Sequence, residues 1–143
     1  MRPAWMEVDL GRLAANFRLI SEDAHAGLEI GSVVKDNGYG FGAVAVANVA
    51  LGRGAGRLLV SNLDEAAELR DAGVSAPILL MGERMEAELP ACLELNLTLA
   101  VGEPAVAEAA NRLAEALGLA GAVHVKIDTG MGGTGCAGAR RLA

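Results

Sequence analysis

The sequence is poor in aromatic residues, cysteine and basic clusters, and each scarcity excludes a class of function. Aromatic residues make up 3% of the 143 residues, too few for a surface that stacks nucleic-acid bases. The formal net charge is −6 and the basic residues form no cluster, so we expect neither nucleic acid nor an anionic membrane as a partner. The two cysteines, Cys92 and Cys136, lack metal-ligand spacing. We therefore expect free thiols and no metal site.

Long apolar runs are also missing. No run reaches the roughly 18 residues that a membrane span needs, and the first residues lack the apolar core of a signal peptide. These two features predict a cytoplasmic protein. Hydrophobic residues nevertheless make up 52% of the chain and charged residues only 21%, which is typical of one globular domain over residues 1–143 and excludes a disordered chain.

Short β-branched runs alternate with amphipathic segments along the whole chain, which predicts an α/β fold of parallel βα repeats with right-handed crossovers. Strands are predicted at 4–9, 28–35, 58–60, 77–81, 97–101 and 122–128. Helices are predicted at 10–24, 42–51, between the N-cap Asn62 and Gly73, within 83–95, and at 104–117. Both an open doubly wound sheet and part of a (βα)8 barrel fit this alternation. The pattern alone favours the open sheet, because a complete barrel takes about 250 residues.

The chain has only two lysines, Lys35 and Lys126, and each lies near the carboxyl end of a predicted strand. Ligands of parallel α/β folds bind at these strand ends. A glycine-rich loop follows Lys35, where a ligand can approach the backbone closely, and a desolvated amine there can act as a nucleophile or base. The alternatives are a lysine that only extends from the strand end into solvent and, for Lys126, a simple ion pair with Asp128.

The same loop contains a second pattern, because residues 40–45 match the dinucleotide fingerprint G-x-G-x-x-(G/A). The segment from Lys35 to Gly40 is long for the tight turn that this fingerprint requires. The next strand also ends at residues 60–62 without an acidic residue for a ribose. Dinucleotide binding is therefore the weaker interpretation.

Three segments together resemble signature sequences of the alanine racemase family. The sequence VKDNGYGFG at 34–42 resembles the family's pyridoxal-phosphate lysine motif V-K-A-N-A-Y-G-H-G. The sequence KIDTGMG at 126–132 resembles the second signature, K-(I/V)-D-T-G-M-(G/N)-R-x-G. The sequence RPAWMEVDL at 2–10 resembles the opening R-P-x-W-x-E-(I/V)-D-L. The resemblance covers residues 2–132 with every element in order.

This resemblance implies a (βα)8 TIM-type barrel that binds pyridoxal 5'-phosphate and is followed by a β-domain, working as a homodimer. The implied activity is the interconversion of L-alanine and D-alanine, which supplies D-alanine for peptidoglycan. By the resemblance, Lys35 binds the cofactor and is the catalytic base on one face of the substrate. Tyr39 matches a tyrosine whose hydroxyl contacts the cofactor phosphate. Lys126 matches a lysine that is often carbamylated and that orients the arginine of the second signature.

Two other interpretations stay open beside the racemase. The first is another pyridoxal-phosphate barrel, such as an amino-acid decarboxylase or a cofactor-homeostasis protein, although the Y-G-x-G sequence after Lys35 favours the racemase. The second is a non-catalytic α/β domain that binds a small molecule. On the racemase interpretation, residues 1–143 are the N-terminal portion of the barrel domain, with about five of its eight strands and without the C-terminal β-domain.

Four positions depart from the family's motifs. Phe41 replaces a histidine, Asp36 and Gly38 replace small residues, and Gly133 stands where the second signature has its arginine. The arginine would bind the substrate carboxylate and contact Lys126, so its loss removes a bidentate cation. We expect little or no racemase activity from these 143 residues alone.

The tail from residue 133 to residue 143 has neither strand nor helix periodicity. When it is back-translated with GC-rich codons and read one frame over, it can be written R-H-G-V-R-R-G-E-A-A, which restores the missing arginine. We therefore expect that a reading-frame shift produced this tail, with a genuinely shortened paralogue as the alternative. The nucleotide sequence beyond codon 132 distinguishes the two.

Overall fold

Five parallel strands form the main sheet of the computed structural model, which describes residues 4–137. Each strand pairs with the next one along the chain, in the order β1-β2-β3-β4-β5. The strands are β1 (Ile30–Val33), β2 (Ala55–Val60), β3 (Ile78–Leu80), β4 (Leu97–Val101) and β5 (Ala122–Val125). Right-handed crossovers between sequential neighbours place all connecting helices on one side of the sheet. This order is that of a partial (βα)8 barrel, and the open doubly wound sheet favoured by the pattern alone is wrong.

Helices follow or precede the strands, at the predicted places except for one unpredicted turn after β1. They are α1 (Leu10–Asp23), the single turn α2 (Lys35–Tyr39), α3 (Ala43–Leu51), α4 (Leu63–Asp71), α5 (Leu89–Glu94) and α6 (Pro104–Leu117), with a 3-10 turn at Glu86–Glu88 before α5. The bounds of β4 and α6 agree with the prediction. Pro104 begins α6 at its first turn, and Gly118 ends it in the left-handed region with φ 66°.

Two predicted strands differ from the structure in more than the positions of their ends. The segment from Ala4 to Asp9 forms no strand, because within residues 4–137 no other strand pairs with it and an extended segment needs a partner to complete its hydrogen bonds. Trp5 in this segment is 81% exposed. The predicted strand 122–128 divides into β5 and the two-residue strand β6 (Ile127–Asp128), which pairs with β7 (Cys136–Ala137) in a separate small sheet.

The hydrophobic core lies between the helices and one face of the sheet. Alternate side chains of the strands face the helices and are buried, among them Leu58, Val60, Ile78, Leu80, Leu97 and Leu99. The intervening side chains face the opposite, concave side and are half-buried or exposed, among them Arg57, Leu59, Leu79, Thr98 and His124. The concave face is therefore where polar groups can meet a ligand. None of the helices in the described part of the chain has both the length and the apolarity to cross a bilayer.

Candidate active site

Lys35 lies directly after the carboxyl end of β1. Pairing with β2 continues to the preceding residue, because the N–H of Val34 donates to the carbonyl of Leu59 at 2.9 Å. The Lys35 side chain is 35% exposed. Its Nζ lies 3.5 Å from Oδ2 of Asp36 and 5.9 Å from the centroid of the Tyr39 ring, within the range of a cation–π contact. The structure thus brings together Lys35 and Tyr39, two of the residues predicted for the site.

The turn α2 that joins these two residues is left-handed. The backbone dihedrals (φ, ψ) are 53°, 46° at Asp36, 55°, 45° at Asn37 and 62°, 39° at Gly38, and φ is 55° at Tyr39. Left-handed helical geometry costs an L-residue roughly 1–2 kcal/mol, and only glycine and, less often, asparagine and aspartate adopt it routinely. The sequence Asp-Asn-Gly is therefore suited to this turn. The sequence analysis predicted a loop here and missed the turn.

Hydrogen bonds to both flanking segments hold the left-handed turn in place. The N–H of Gly38 donates to the carbonyl of Val34 at 2.9 Å, and the N–H of Gly42 donates to the carbonyl of Asn37 at 2.8 Å. The side-chain oxygen of Asn37 accepts from the N–H of Ala43, the first residue of α3, at 3.0 Å. A Cβ on Gly38 would lie 3.2 Å from the Ala43 nitrogen, so the turn and α3 pack closely.

Glu65, in the first turn of α4, connects this turn to the end of β2. Its Oε1 accepts from the N–H of Asp36 at 2.8 Å, and its Oε2 accepts from the N–H and the hydroxyl of Ser61 at 2.8 and 3.1 Å. Burial alone would raise the pKa of Glu65, but the hydrogen bonds from Asp36, Ser61 and the backbone of Asn62 outweigh burial and lower that pKa below its ordinary value.

The N-cap predicted for α4 is confirmed, because Oδ1 of Asn62 accepts from the N–H of Glu65 at 2.9 Å. The sequence analysis identified Asn62 as the N-cap and missed the contacts of Glu65 with Asp36 and Ser61. The spacing of residues on α4 does not indicate a contact with the turn after β1. A carboxylate in the first turn of a helix that follows a strand is the only sequence signal that Glu65 offers.

Lys126 lies at the end of β5, on the concave side of the sheet. Its N–H donates to the carbonyl of Val101 at 2.8 Å, and its Nζ donates to the hydroxyl of Thr134 at 2.8 Å. With His124 and residues of β3 and β4 it lines a cavity of about 280 Å³. The described residues show no hydrogen bond or ion pair that joins Lys126 to Lys35 or Tyr39. The predicted site residues therefore form one close pair and one separate lysine.

Asp128 does not form the predicted ion pair with Lys126 within 4 Å. Its Oδ1 instead accepts from the N–H groups of Gly130 and Gly132 at 2.9 and 3.1 Å, and these bonds lower the pKa of the Asp128 carboxyl. Gly133, which stands at the position of the family's arginine, is exposed. In this structure Thr134, the next residue, provides the partner of the Lys126 amine.

A second polar network crosses the concave face below the lysines. Nη1 of Arg57 on β2 lies 3.0 Å from Nε2 of His124 on β5, and its Nη2 donates to the carboxylate of Glu29. Arginine has no acceptor, so Nε2 of His124 is the acceptor in this bond. The sequence analysis placed neither His124 nor Arg57 among the candidate site residues. Residues 4–137 contain no group of three or more His, Cys, Asp or Glu side chains placed to hold a metal ion.

Comparison with known proteins decides the family. Residues 8–142 match the family model described as "Alanine racemase, N-terminal domain". The chain belongs to this alanine racemase family. The match overlaps most of the predicted range, residues 2–132, and also includes the tail from residue 133. The shifted reading frame proposed for that tail stays a prediction, and residues 138–143 lie outside the described residues.

Curated relatives of this alanine racemase family member are similar to it in sequence over nearly the whole chain. The alanine racemase of Desulforamulus reducens is 44% identical over 133 residues, which are 93% of this chain and 36% of that protein. The alanine racemase of Symbiobacterium thermophilum is 42% identical over 135 residues, which are 94% of this chain and 36% of that protein. The chain thus spans about a third of the length of the curated relatives that it matches.

Solved structures of racemases also match nearly the whole of this chain and about a third of their own length. Alanine racemase from Bacillus anthracis with bound L-Ala-P superimposes with a TM-score of 0.90 at 37% identity, over 99% of this chain and 36% of that one. Histidine racemase from Leuconostoc mesenteroides superimposes with a TM-score of 0.84 at 31% identity, over 93% of this chain and 36% of that one. The five-stranded sheet is therefore the N-terminal part of the racemase barrel.

Proposed function

We propose that this chain supplies the cofactor-binding lysine of a pyridoxal-phosphate-dependent racemase that interconverts L-alanine and D-alanine. The observation that carries the proposal is the left-handed turn after β1, which presents the Lys35 amine and the Tyr39 ring side by side at the carboxyl end of the sheet. The curated relatives named alanine racemase support this activity. The histidine racemase among the structural neighbours supports amino-acid racemisation as the broader class.

The chemistry of the two side chains fits pyridoxal 5'-phosphate. A primary amine condenses with an aldehyde, and a phenolic hydroxyl donates a hydrogen bond to a phosphate oxygen. Lys35 and Tyr39 provide these groups four residues apart on one turn. The bound cofactor would supply an electron-accepting ring that stabilises negative charge on the substrate Cα.

We assign the following roles to the residues of the site. Lys35 would bind the cofactor and, once displaced by the substrate amine, would accept or return the Cα proton on one face with its free Nζ. Tyr39 would hold the phosphate end through its hydroxyl. Lys126, whose amine faces the concave side, would act from the opposite wall of the barrel, where the family's second signature carries the arginine that this sequence lacks.

The whole enzyme would be a homodimer whose substrate is alanine and whose product serves peptidoglycan synthesis. A cytoplasmic location is supported by the two free thiols, both buried in the structure, because such thiols persist in a reducing compartment. The 143 residues by themselves would not convert L-alanine to D-alanine at a rate typical of enzymes, because they provide one proton-transferring amine next to the cofactor and glycine in place of the arginine.

A titration with pyridoxal 5'-phosphate tests the proposal. The absorbance of the amine-bound cofactor is followed in the wild-type chain, in K35A and in the matched control K126A. We expect saturable binding by the wild type and by K126A and its loss in K35A. Saturable binding by K35A with wild-type affinity contradicts the assignment of Lys35. Conversion of L-alanine to D-alanine by the wild-type chain, measured in the same samples, tests the expected lack of racemisation.

A further inference from the structure

We propose that Glu65 is a positioning residue for Lys35. The Glu65 carboxylate fixes the left-handed turn to the end of β2 and so keeps the Lys35 amine and the Tyr39 hydroxyl on the same side of the sheet. This inference rests on the proposed function, because it takes Lys35 as the residue that binds the cofactor. Glu65 itself touches neither the amine nor the Tyr39 ring in any contact of the described residues.

One of the N–H groups that the turn itself leaves unpaired donates to Glu65. The first N–H groups of a helical turn have no partner within the turn, whereas later ones do. Here the N–H of Gly38 reaches back to Val34 and the N–H of Gly40 reaches back to Asp36. The N–H of Asp36, directly after Lys35, is paired instead with Oε1 of Glu65 at 2.8 Å. The carboxylate therefore completes the turn at the residue next to the lysine.

The other oxygen of the same carboxylate is anchored on a different strand. Oε2 of Glu65 accepts from both the N–H and the hydroxyl of Ser61, which follows β2 directly. All these partners are donors, so both oxygens must be acceptors. A glutamine at position 65 would direct an NH2 group at one of these donors and would lose that contact. An ionised glutamate is the side chain that satisfies both segments at once.

Strain in the turn makes this anchor important for position rather than only for stability. Asp36, Asn37 and Tyr39 all have positive φ, which disfavours the turn on its own. Without the Asp36 contact the segment after Lys35 can relax towards right-handed or extended backbone. Such a change would separate the Lys35 amine from the Tyr39 hydroxyl, because both project from this turn.

A second carboxylate with the same design, but away from Lys35, provides a matched control. Oε1 of Glu83, which follows β3, accepts from the N–H groups of Gly102 and Glu103 at 3.1 and 2.9 Å. It connects the ends of β3 and β4 as Glu65 connects those of β1 and β2. E83Q thus makes the same change from carboxylate to amide at a neighbouring pair of strand ends, where one amide oxygen can still accept both bonds, and it leaves the turn that carries the lysine untouched.

The experiment compares the labelling of the two lysines within one molecule. Wild type, E65Q, S61A and E83Q are incubated with pyridoxal 5'-phosphate, the adducts are reduced with borohydride, and the ratio of label on Lys35 to label on Lys126 is measured by peptide mass spectrometry. Circular dichroism and thermal unfolding record whether each variant is folded. Lys126 is the internal reference for the amounts of protein and reagent, and only variants that are folded enter the comparison, because unfolding would itself make the two lysines equally reactive.

We expect E65Q to lower the ratio by about tenfold and S61A, which loses one of the bonds to the carboxylate, to lower it less, with E83Q at the wild-type value. If E65Q does not fold, the comparison between S61A and E83Q decides. Wild-type ratios in both E65Q and S61A overturn the inference and leave the proposed function intact. A wild-type protein with no preference for Lys35 overturns the proposed function and this inference with it.

Discussion

Arg70 is predicted to be the most important polar side chain for the stability of the described part of the chain. Its guanidinium donates to four backbone carbonyls, those of Val74 and Ala76 at 2.8 Å, Leu95 at 2.9 Å and Asn96 at 3.0 Å. The first two lie between α4 and β3 and the other two lie at the end of α5. Arg70 is half-buried, and this burial lowers the pKa of its guanidinium.

The size of the effect follows from these four bonds. Each intramolecular hydrogen bond contributes a net 0.5–1.5 kcal/mol or so, and an unpaired buried carbonyl costs more. Water can replace the guanidinium at the exposed carbonyl of Asn96 but less well at the buried Val74. We therefore expect R70M, which keeps the length of the side chain, to lower the free energy of unfolding by about 2–4 kcal/mol. That is a large part of the roughly 5–15 kcal/mol typical of domains.

Equilibrium unfolding in urea measures this prediction, with R18M as the matched control. Within residues 4–137, Arg18 forms only an exposed pair with Glu22 at 3.8 Å, so R18M should change the free energy of unfolding by no more than about 0.5 kcal/mol. R70M and R18M with equal midpoints and equal slopes would refute the argument that Arg70 connects the ends of two helices to the sheet.

Three further predictions concern single groups of the site and the core. Because the pKa of Glu65 is lowered in the folded state, its ionised carboxylate contributes to stability above the unfolded pKa of about 4.3, and this contribution is lost as the pH falls through the folded pKa. The free energy of unfolding of E65Q should therefore decline less steeply below about pH 4.3 than that of the wild type. Identical declines in the two proteins would contradict this prediction. Burial raises the pKa of the fully buried Cys92 thiol, so a thiol reagent should modify this cysteine only as the protein unfolds. C92A is the control, and rapid modification of Cys92 in the folded protein would contradict the prediction. D36N should change the free energy of unfolding by less than about 0.5 kcal/mol, because the Asp36 carboxylate is 65% exposed and the contact with Glu65 uses the backbone N–H of residue 36. A larger loss of stability would show that the ion pair between Asp36 and Lys35 stabilises the fold.

Elements whose ends carry local signals were predicted well from the sequence. Pro104 and Gly118 define the ends of α6, and Asn62 defines the start of α4, because first-turn proline, a left-handed glycine and an N-cap each act within a few residues. Both lysines were predicted near strand ends, and the structure confirms these positions. The residues that carried the resemblance also predicted the barrel correctly.

Features that depend on distant contacts were not predicted. Strand order is absent from a local pattern, so the alternation of strands and helices could not separate a barrel from an open sheet. The segment 4–9 has strand-like residues but no partner strand within the described range. The left-handed turn depends on contacts with Glu65 and Ala43, which lie 29 and 6 residues from their partners Asp36 and Asn37. The sequence contains Asp-Asn-Gly, which favours a left-handed turn, but no local pattern indicates these contacts.

The most direct test of the central claim is the position of the cofactor on the native chain. Pyridoxal 5'-phosphate is bound to the folded wild-type protein, the adduct is reduced with borohydride, and the modified peptide is identified. Only two lysine side chains and the N-terminal amine can react, so the assignment has few alternatives. The left-handed turn with its adjacent tyrosine predicts modification at Lys35 in preference to both other amines. Modification at Lys126, or equally at all three, would contradict the account.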